Sequence, residues 1–358
     1  MPSERTVKVG NLTLGNGSKI AVQSMLCCPP EDIEANLQQA RELYATGCHI
    51  VRLAIPTKEA VALIPALKKA TPMPVVADIH FDYRLALASI EAGADKIRIN
   101  PGNFGGKERL MEVARACRSA GIPIRVGVNS GSLERDLLAR FGAPTGEALA
   151  ESALRGVQML EDCGFEEIVV SVKSSNVKTM VDACRIIDKR CPYPQHLGVT
   201  EAGTARMGLV KSAAGIGALL LDGIGDTIRV SLTDQPTEEI KAAYDILQAV
   251  GLWNERPQII SCPTCGRCRI NVISLAKELE EKISGMKQPV KVAVMGCAVN
   301  GPGEAREADF GIAGGDGEAL LFRKGKSICK IPQGEVVERL LQEIENYAVE
   351  EDGNEEIR

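Results

Sequence analysis

Residues 75–129 read VVADIHFDYRLALASIEAGADKIRINPGNFGGKERLMEVARACRSAGIPIRVGVN. Three short β-rich runs, Val75–Ile79, Lys96–Asn100 and Ile124–Asn129, are spaced by helical stretches. Lys107–Ala120 has apolar residues at helical spacing and stops at Gly121, with Pro123 behind it. The same strand-then-helix unit extends in both directions. Ile20–Met25 and Ile50–Ile55 come before it; Ile168–Val172, His196–Thr200 and Thr227–Leu232 come after. Helical patterns at Asp32–Ala45, Lys58–Ala70, Leu133–Phe141 and Gly146–Cys163 fall between them. Eight such units closing into a parallel barrel take about 250 residues, and the pattern runs out near residue 250. The expected class is α/β, with an N-terminal (β/α)8 TIM barrel over residues 1–251. An open doubly wound sheet would need a glycine-rich phosphate turn after the first strand, and VQSMLCCPP (22–30) is not one.

LWNERPQ (252–258) has few periodic positions and carries Pro257, so the domain boundary is placed there. Residues 252–358 read as a small α+β domain. Its expected elements are strand Ile259–Ser261, a cysteine cluster, helix Asn271–Ile283, strand Lys291–Met295 and a glycine loop. A hairpin through Phe310–Ala313 and Ala319–Ile331 and helix Gly334–Tyr347 follow, with a frayed acidic tail at 350–358.

Of the 358 residues 45% are hydrophobic and 25% charged, which excludes disorder as the dominant state. Aromatics are only 3%, which argues against a base-stacking nucleic-acid platform. A net charge of −5 gives the molecule no general attraction to nucleic acid or a membrane surface. The longest nearly uncharged apolar stretch, Ala213–Leu221, is too short to span a bilayer, and MPSERTVKVGNLTLG has no apolar signal core. A cytoplasmic location is expected, with the twelve cysteines as reduced thiols.

Side chains alternate along a strand. Lys96, Arg98 and Asn100 therefore share a face, as do Arg125, Gly127 and Asn129, Asp78 and His80, His196, Gly198 and Thr200, and Arg229 and Ser231. Arg52 ends the second strand, Lys173 follows the sixth, and Glu201 lies just beyond Thr200. Charges seldom enter a barrel unless paired, and these gather at the C-terminal strand ends where barrel enzymes carry their sites. Several cations on one mouth of an acidic protein point to a strongly anionic ligand such as a phosphate or diphosphate. The alternative is internal pairing with Asp78, Asp95, Asp226 or Glu201.

SCPTCGRCRI (261–270) places Cys262, Cys265 and Cys268 at the spacing of iron–sulfur ligand runs, and Cys297 stands in MGCAVNGPGEA (295–305). Three readings stay open on spacing: a [4Fe–4S] cluster, a structural zinc site built from all four of these thiols, or ordinary thiols with a redox CxxC pair.

Together these residues resemble a known family. VQSM (22–25), VRLAIP (51–56), ADIHFD (77–82), KIRINPGN (96–103), RVGVNSGS (125–132), SVKSS (171–175), LGVTEAG (197–203), GDTIRVSLT (225–233), SCPTCGR (261–267) and MGCAVNGPGEA occur in order over almost the whole chain. The chain is similar to the bacterial two-domain 4-hydroxy-3-methylbut-2-en-1-yl diphosphate synthases of the non-mevalonate isoprenoid pathway. The resemblance implies a barrel that binds 2-C-methyl-D-erythritol 2,4-cyclodiphosphate and a second domain, similar to a sulfite-reductase domain, that holds a [4Fe–4S] cluster. It implies Cys262, Cys265, Cys297 and Glu304 as the cluster ligands, leaving Cys268 a spare thiol. Arg52, Arg98, Arg125, Lys173 and Arg229 are expected to neutralise the diphosphate, with Asn100, Asn129, Thr200 and Ser231 fixing its register. Asp78 and His80 are expected to position the erythritol part, and Glu201 to deliver a proton. The implied reaction is a reductive dehydroxylation fed by reduced flavodoxin or ferredoxin, in a head-to-tail homodimer.

Overall fold

The computed structural model describes residues 3–100, 106–297 and 307–355. The chain divides into two compact units, Met1–Leu252 and Trp253–Arg358.

The first unit is a parallel barrel. Its strands are β3 (Ala21–Met25), β4 (Ile50–Ala54), β5 (Val75–Asp78), β6 (Lys96–Ile99), β7 (Ile124–Asn129), β8 (Ile168–Lys173), β9 (His196–Leu197) and β10 (Thr227–Ile228). They run in the order β8-β7-β6-β5-β4-β3-β10-β9, and a bridge between Val170 and Gln195 brings the two ends of that row together. All eight expected strands are present. The last two are shorter than the sequence suggests, ending at Leu197 and Ile228. Beyond those ends single backbone bonds continue the pairing, from the Thr200 N–H to Ser174 O at 3.3 Å and from the Arg229 N–H to Leu197 O at 2.9 Å.

Helices α1 (Ile33–Ala45), α2 (Leu63–Ala70), α3 (Tyr83–Glu91), α4 (Lys107–Ala120), α5 (Arg135–Phe141), α6 (Gly146–Glu161), α7 (Val177–Arg190), α8 (Ala205–Leu221) and α9 (Pro236–Ala249) fill the connections. The stretch expected as one helix from Lys58 opens instead as a 3-10 turn, Glu59–Ala62, before α2. Pro65 fits the new first turn, where its missing N–H would have had no helical partner. Gly121 ends α4 in the left-handed region, at φ 66°.

One element lies outside the expected pattern. An antiparallel hairpin, β1 (Val7–Val9) and β2 (Leu12–Leu14), turns at Gly10–Asn11. Val7, Val9 and Leu14 cluster with Ala21, Ile50, Val76 and Val169 from four barrel strands. These apolar residues floor the barrel at the N-terminal ends of its strands.

The second unit is a mixed five-stranded sheet in the order β11 (Gln258–Ser261), β12 (Lys291–Met295), β13 (Phe310–Gly314), β14 (Glu318–Arg323), β15 (Lys326–Pro332). β11, β12 and β13 are parallel, and the rest antiparallel. The single strand expected over Ala319–Ile331 is two strands, split at Lys324–Gly325, where both residues have positive φ. Helices α10 (Val272–Ile283) and α11 (Val336–Glu355) bury Leu275, Leu279, Ile283, Val336, Leu340 and Ile344 against Val292, Val294, Phe310, Ile312 and Leu321. The tail expected to fray from residue 350 continues α11 to Glu355; residues 356–358 lie outside the described residues.

Candidate active site

The barrel interior carries six basic side chains: Arg52, Lys96, Arg98, Arg125, Lys173 and Arg229. Lys96, Arg98, Arg125 and Lys173 are buried, Arg125 to 1% exposure. Among the described residues two carboxylates engage this set. Asp78 accepts from Arg98 at 3.0 Å and lies 3.5 Å from Arg52 and 3.4 Å from His80 Nε2. Glu239 of α9 holds Arg229 through contacts of 3.3 and 3.4 Å, and also accepts from Ser24 Oγ at 3.2 Å and the Leu232 N–H at 3.1 Å.

The electrostatics follow from this imbalance. Burial opposes charge on Asp78, but Arg52, His80, Arg98 and Arg125 outweigh it and hold the carboxyl below its usual range. Burial, then repulsion from Arg229 and Arg98, pushes Arg52 down to about 10 despite Asp78. Lys173 is driven well below the ordinary lysine range by burial, and further by Arg52, Arg229, Arg125 and Arg98. The three guanidinium nitrogens of Arg125 have no hydrogen-bond partner among the described residues. An unpaired buried donor costs about 1–3 kcal/mol, and a charged one more. These groups therefore favour an anion.

A cavity of about 200 Å³ opens among them. Of the residues expected at the site, Arg52, Asp78, His80, Arg98, Arg125, Asn129, Lys173, Thr200, Arg229 and Ser231 line it. Asn100 and Glu201 do not. Asn100 is buried and donates to Ser132 Oγ at 2.7 Å. Glu201 is exposed, one residue past Thr200, in the left-handed region at φ 50°. Met25 and Ser171 also line the cavity; alternation along β3 and β8 could have identified them. Glu239 could not be found that way, because its partner Arg229 comes from a different element.

Two glycines make room for the cations. A methyl group on Gly127 would lie 2.6 Å from Arg98 Nε, and one on Gly198 2.7 Å from Arg229 O and 3.1 Å from Lys173 Nζ. A larger residue at Gly127 would push against the Arg98 guanidinium, and one at Gly198 would collide with the Arg229 backbone carbonyl and crowd the Lys173 amine.

In the second unit the thiols collect at the C-terminal ends of β11 and β12. Cys262 follows β11, and its Sγ accepts from the Gly296 N–H at 3.2 Å. The chain then bends back: the Cys268 N–H reaches Cys265 O at 3.0 Å, and the Arg269 N–H reaches Gly296 O at 2.8 Å. A methyl group on Gly296 would lie 2.5 Å from Cys268 Sγ, so the segment closes directly over the residue before Cys297. Cys265 is exposed, and hydrogen bonds from Arg267, first from its backbone N–H, lower its thiol below the ordinary range. Among the described residues no three His, Cys, Asp or Glu side chains are grouped to hold a metal ion. Glu304 and the glycine loop lie outside the described residues. The donor set nevertheless fits an iron–sulfur cluster: soft thiolates on two adjacent strand ends, one already receiving a backbone amide.

Residues 4–244 match the family described as GcpE TIM-barrel domain, and residues 258–346 match GcpE protein C-terminal domain. The chain belongs to the GcpE family. A Clostridium perfringens relative, named 4-hydroxy-3-methylbut-2-en-1-yl diphosphate synthase (flavodoxin), is 54% identical over 95% of this chain and 98% of its own. A Halalkalibacterium halodurans relative of the same name is 52% identical over 97% of this chain and 94% of its own. The GcpE barrel also shares its fold with the crystal structure of a Stenotrophomonas maltophilia dihydropteroate synthase, with a TM-score of 0.51 and 15% identity over 69% of this chain and 98% of that one. Among the described residues, no helix of this GcpE chain is long and apolar enough to cross a membrane.

Proposed function

We propose that the protein is a 4-hydroxy-3-methylbut-2-en-1-yl diphosphate synthase. It converts 2-C-methyl-D-erythritol 2,4-cyclodiphosphate into 4-hydroxy-3-methylbut-2-enyl diphosphate and water. Five basic side chains lining the cavity, Arg52, Arg98, Arg125, Lys173 and Arg229, facing two carboxylates carry this reading, since a cyclic diphosphate supplies the missing negative charge.

The reaction replaces two C–O bonds with one C=C bond and uses two electrons. The ring oxygen leaves as a diphosphate anion, and the hydroxyl leaves as water after taking one proton. Arg52, Arg98, Arg125, Lys173 and Arg229 stabilise the anion as its charge grows. Asn129, Thr200 and Ser231 hydrogen-bond its oxygens, and Asn100 supports that wall through Ser132. Asp78 fixes Arg52, Arg98 and His80, and His80 faces the erythritol part. The proton donor is assigned to Glu201 at the rim.

When held by Cys262, Cys265, Cys297 and Glu304, a [4Fe–4S] cluster supplies the electrons singly and a Lewis-acidic iron. The electron donor is reduced flavodoxin, which the relatives' names carry, or ferredoxin. A head-to-tail homodimer brings one copy's cysteine end over its partner's barrel mouth. The deciding experiment is anaerobic purification followed by iron and sulfide analysis and turnover of the cyclodiphosphate with reduced flavodoxin. Iron-free protein, or loaded protein that leaves the cyclodiphosphate intact, would sink the reading.

A further inference from the structure

Lys96 begins β6, one inward position below Arg98. Its side chain is fully buried, does not line the cavity, and its Nζ has no hydrogen-bond partner among the described residues. It is not the only such group in the barrel. Both polar atoms of Gln23, all three guanidinium nitrogens of Arg125 and Nε2 of His196 are also buried and unpartnered. The charged and titratable side chains that share the interior with Lys96 are Arg52 of β4, Asp78 of β5, Arg98 of β6, Arg125 of β7, Lys173 of β8, His196 of β9 and Arg229 beyond β10. Asp78 is engaged by Arg52 and Arg98, and Glu239 by Arg229. Among the described residues no carboxylate hydrogen-bonds or ion-pairs with Lys96 or Arg125. His196 turns Nδ1 to Thr227 Oγ1 at 2.8 Å and offers Lys96 no charge. Beneath them lies the apolar floor of Ala21, Ile50, Val76 and Val169.

We propose that binding of the anionic ligand makes the barrel take up a proton from solvent, and that Lys96 is the group that receives it. The inference rests on the diphosphate reading of the cavity above. The empty barrel holds more basic groups than its two carboxylates can compensate. Lys173 is disfavoured as an ammonium too, but it lines the cavity, whereas Lys96, with no exposed surface and no partner for its Nζ among the described residues, is the amine that stays neutral. Burial, Arg125 and Arg52 all drive Lys96 in that direction. A ligand carrying at least two negative charges against Arg98 and Arg125 reverses the local field. The neutral amine gains H⁺ from buffer and becomes an ammonium; no other bond changes. Lys96 therefore acts through the field and through Arg125 as a positioning residue, without touching the ligand.

The signs are fixed by linkage. One proton taken up on binding makes affinity fall about tenfold for each unit that pH rises, across the window where Lys96 is neutral when empty and charged when filled. The test is calorimetric titration of 2-C-methyl-D-erythritol 2,4-cyclodiphosphate into the full-length, cluster-loaded protein, anaerobically and without an electron donor. It is run at one pH in several buffers of different ionisation heat. Wild type should take up about one proton per site, read from the slope of heat against buffer ionisation heat. Lys96→Met should still bind and take up about one proton fewer. Lys96→Gln provides a second neutral replacement should the first fold poorly. Binding by wild type with no proton uptake overturns the proposal, as does full uptake in either variant. A wild type that gives no binding heat overturns the diphosphate reading itself and this inference with it.

Discussion

The barrel interior and the cysteine end of the second unit both sit at the C-terminal ends of parallel strands, yet they are built in opposite ways. In the barrel the functional groups stand on the strands themselves. Register fixes them: Arg98 pairs across from Arg125 and from Asp78, and Asn129 from Lys173. Their mutual repulsion is held in place before any ligand arrives. In the second unit the thiols stand on the turns after β11 and β12, anchored by a few backbone contacts around Gly296. A rigid sheet can store an unfavourable charge pattern, whereas a turn holds its donors where the cluster can gather them. The first arrangement should answer mutation through affinity and stability together. The second should answer through cofactor content.

The largest expected effect tests the second half of that contrast. Cys297→Ser should lose its iron and sulfide and its turnover, while the barrel still binds the cyclodiphosphate in calorimetry. Loss of both would show that the two sites are not built independently. Next comes Arg125→Leu. Ligand affinity should fall at least about a hundredfold, because losing a charge-assisted contact costs about 3 kcal/mol. The empty protein should nevertheless become more stable by about 1–2 kcal/mol in urea unfolding, since an unpaired buried guanidinium has been removed. A destabilised variant would contradict the idea of stored repulsion.

Glu239→Gln tests the carboxylate that orients Arg229. KM should rise about tenfold with kcat little changed, matching the loss of one hydrogen bond to a charged group. A fall in kcat alone would mean that Arg229 acts only in the chemical step. Asp78 gives a smaller, pH-dependent effect. Its folded pKa is depressed, so its stabilisation is present above about pH 4, the unfolded value, and is lost as pH falls through the folded value. Unfolding midpoints of wild type and Asp78→Asn should therefore converge on acidification below that point. Parallel midpoints would rule out an ionised, paired Asp78. Smallest of all, Cys268→Ser should keep the iron and sulfide content of wild type. Loss of the cluster would make Cys268 a ligand in place of Glu304.

The sequence made the barrel legible because its strands are short, apolar and separated by amphipathic helices with clear stops, such as Gly121 after α4. The cations could be assigned to one face because alternation is a rule of strand geometry. What it concealed was pairing between elements. Nothing local to Glu239, near the start of α9, marks it as the partner of Arg229 and Ser24. The β1–β2 hairpin escaped the sequence reading although its two-residue Gly10–Asn11 turn lies between alternating apolar residues, a recognisable hairpin signal. The split of Ala319–Ile331 turned on positive φ at Lys324, a conformation lysine gives no hint of adopting. Asn100 followed the alternation faithfully yet spends its amide on Ser132, since sharing a face does not fix where a side chain reaches.

The hairpin under the barrel has one further consequence. With Val7, Val9 and Leu14 plugging one end, the vessel is a cul-de-sac. A substrate that enters and a product that leaves then share the mouth at the opposite end. Turnover therefore has to run as single-file traffic, each departure clearing the way for the next arrival.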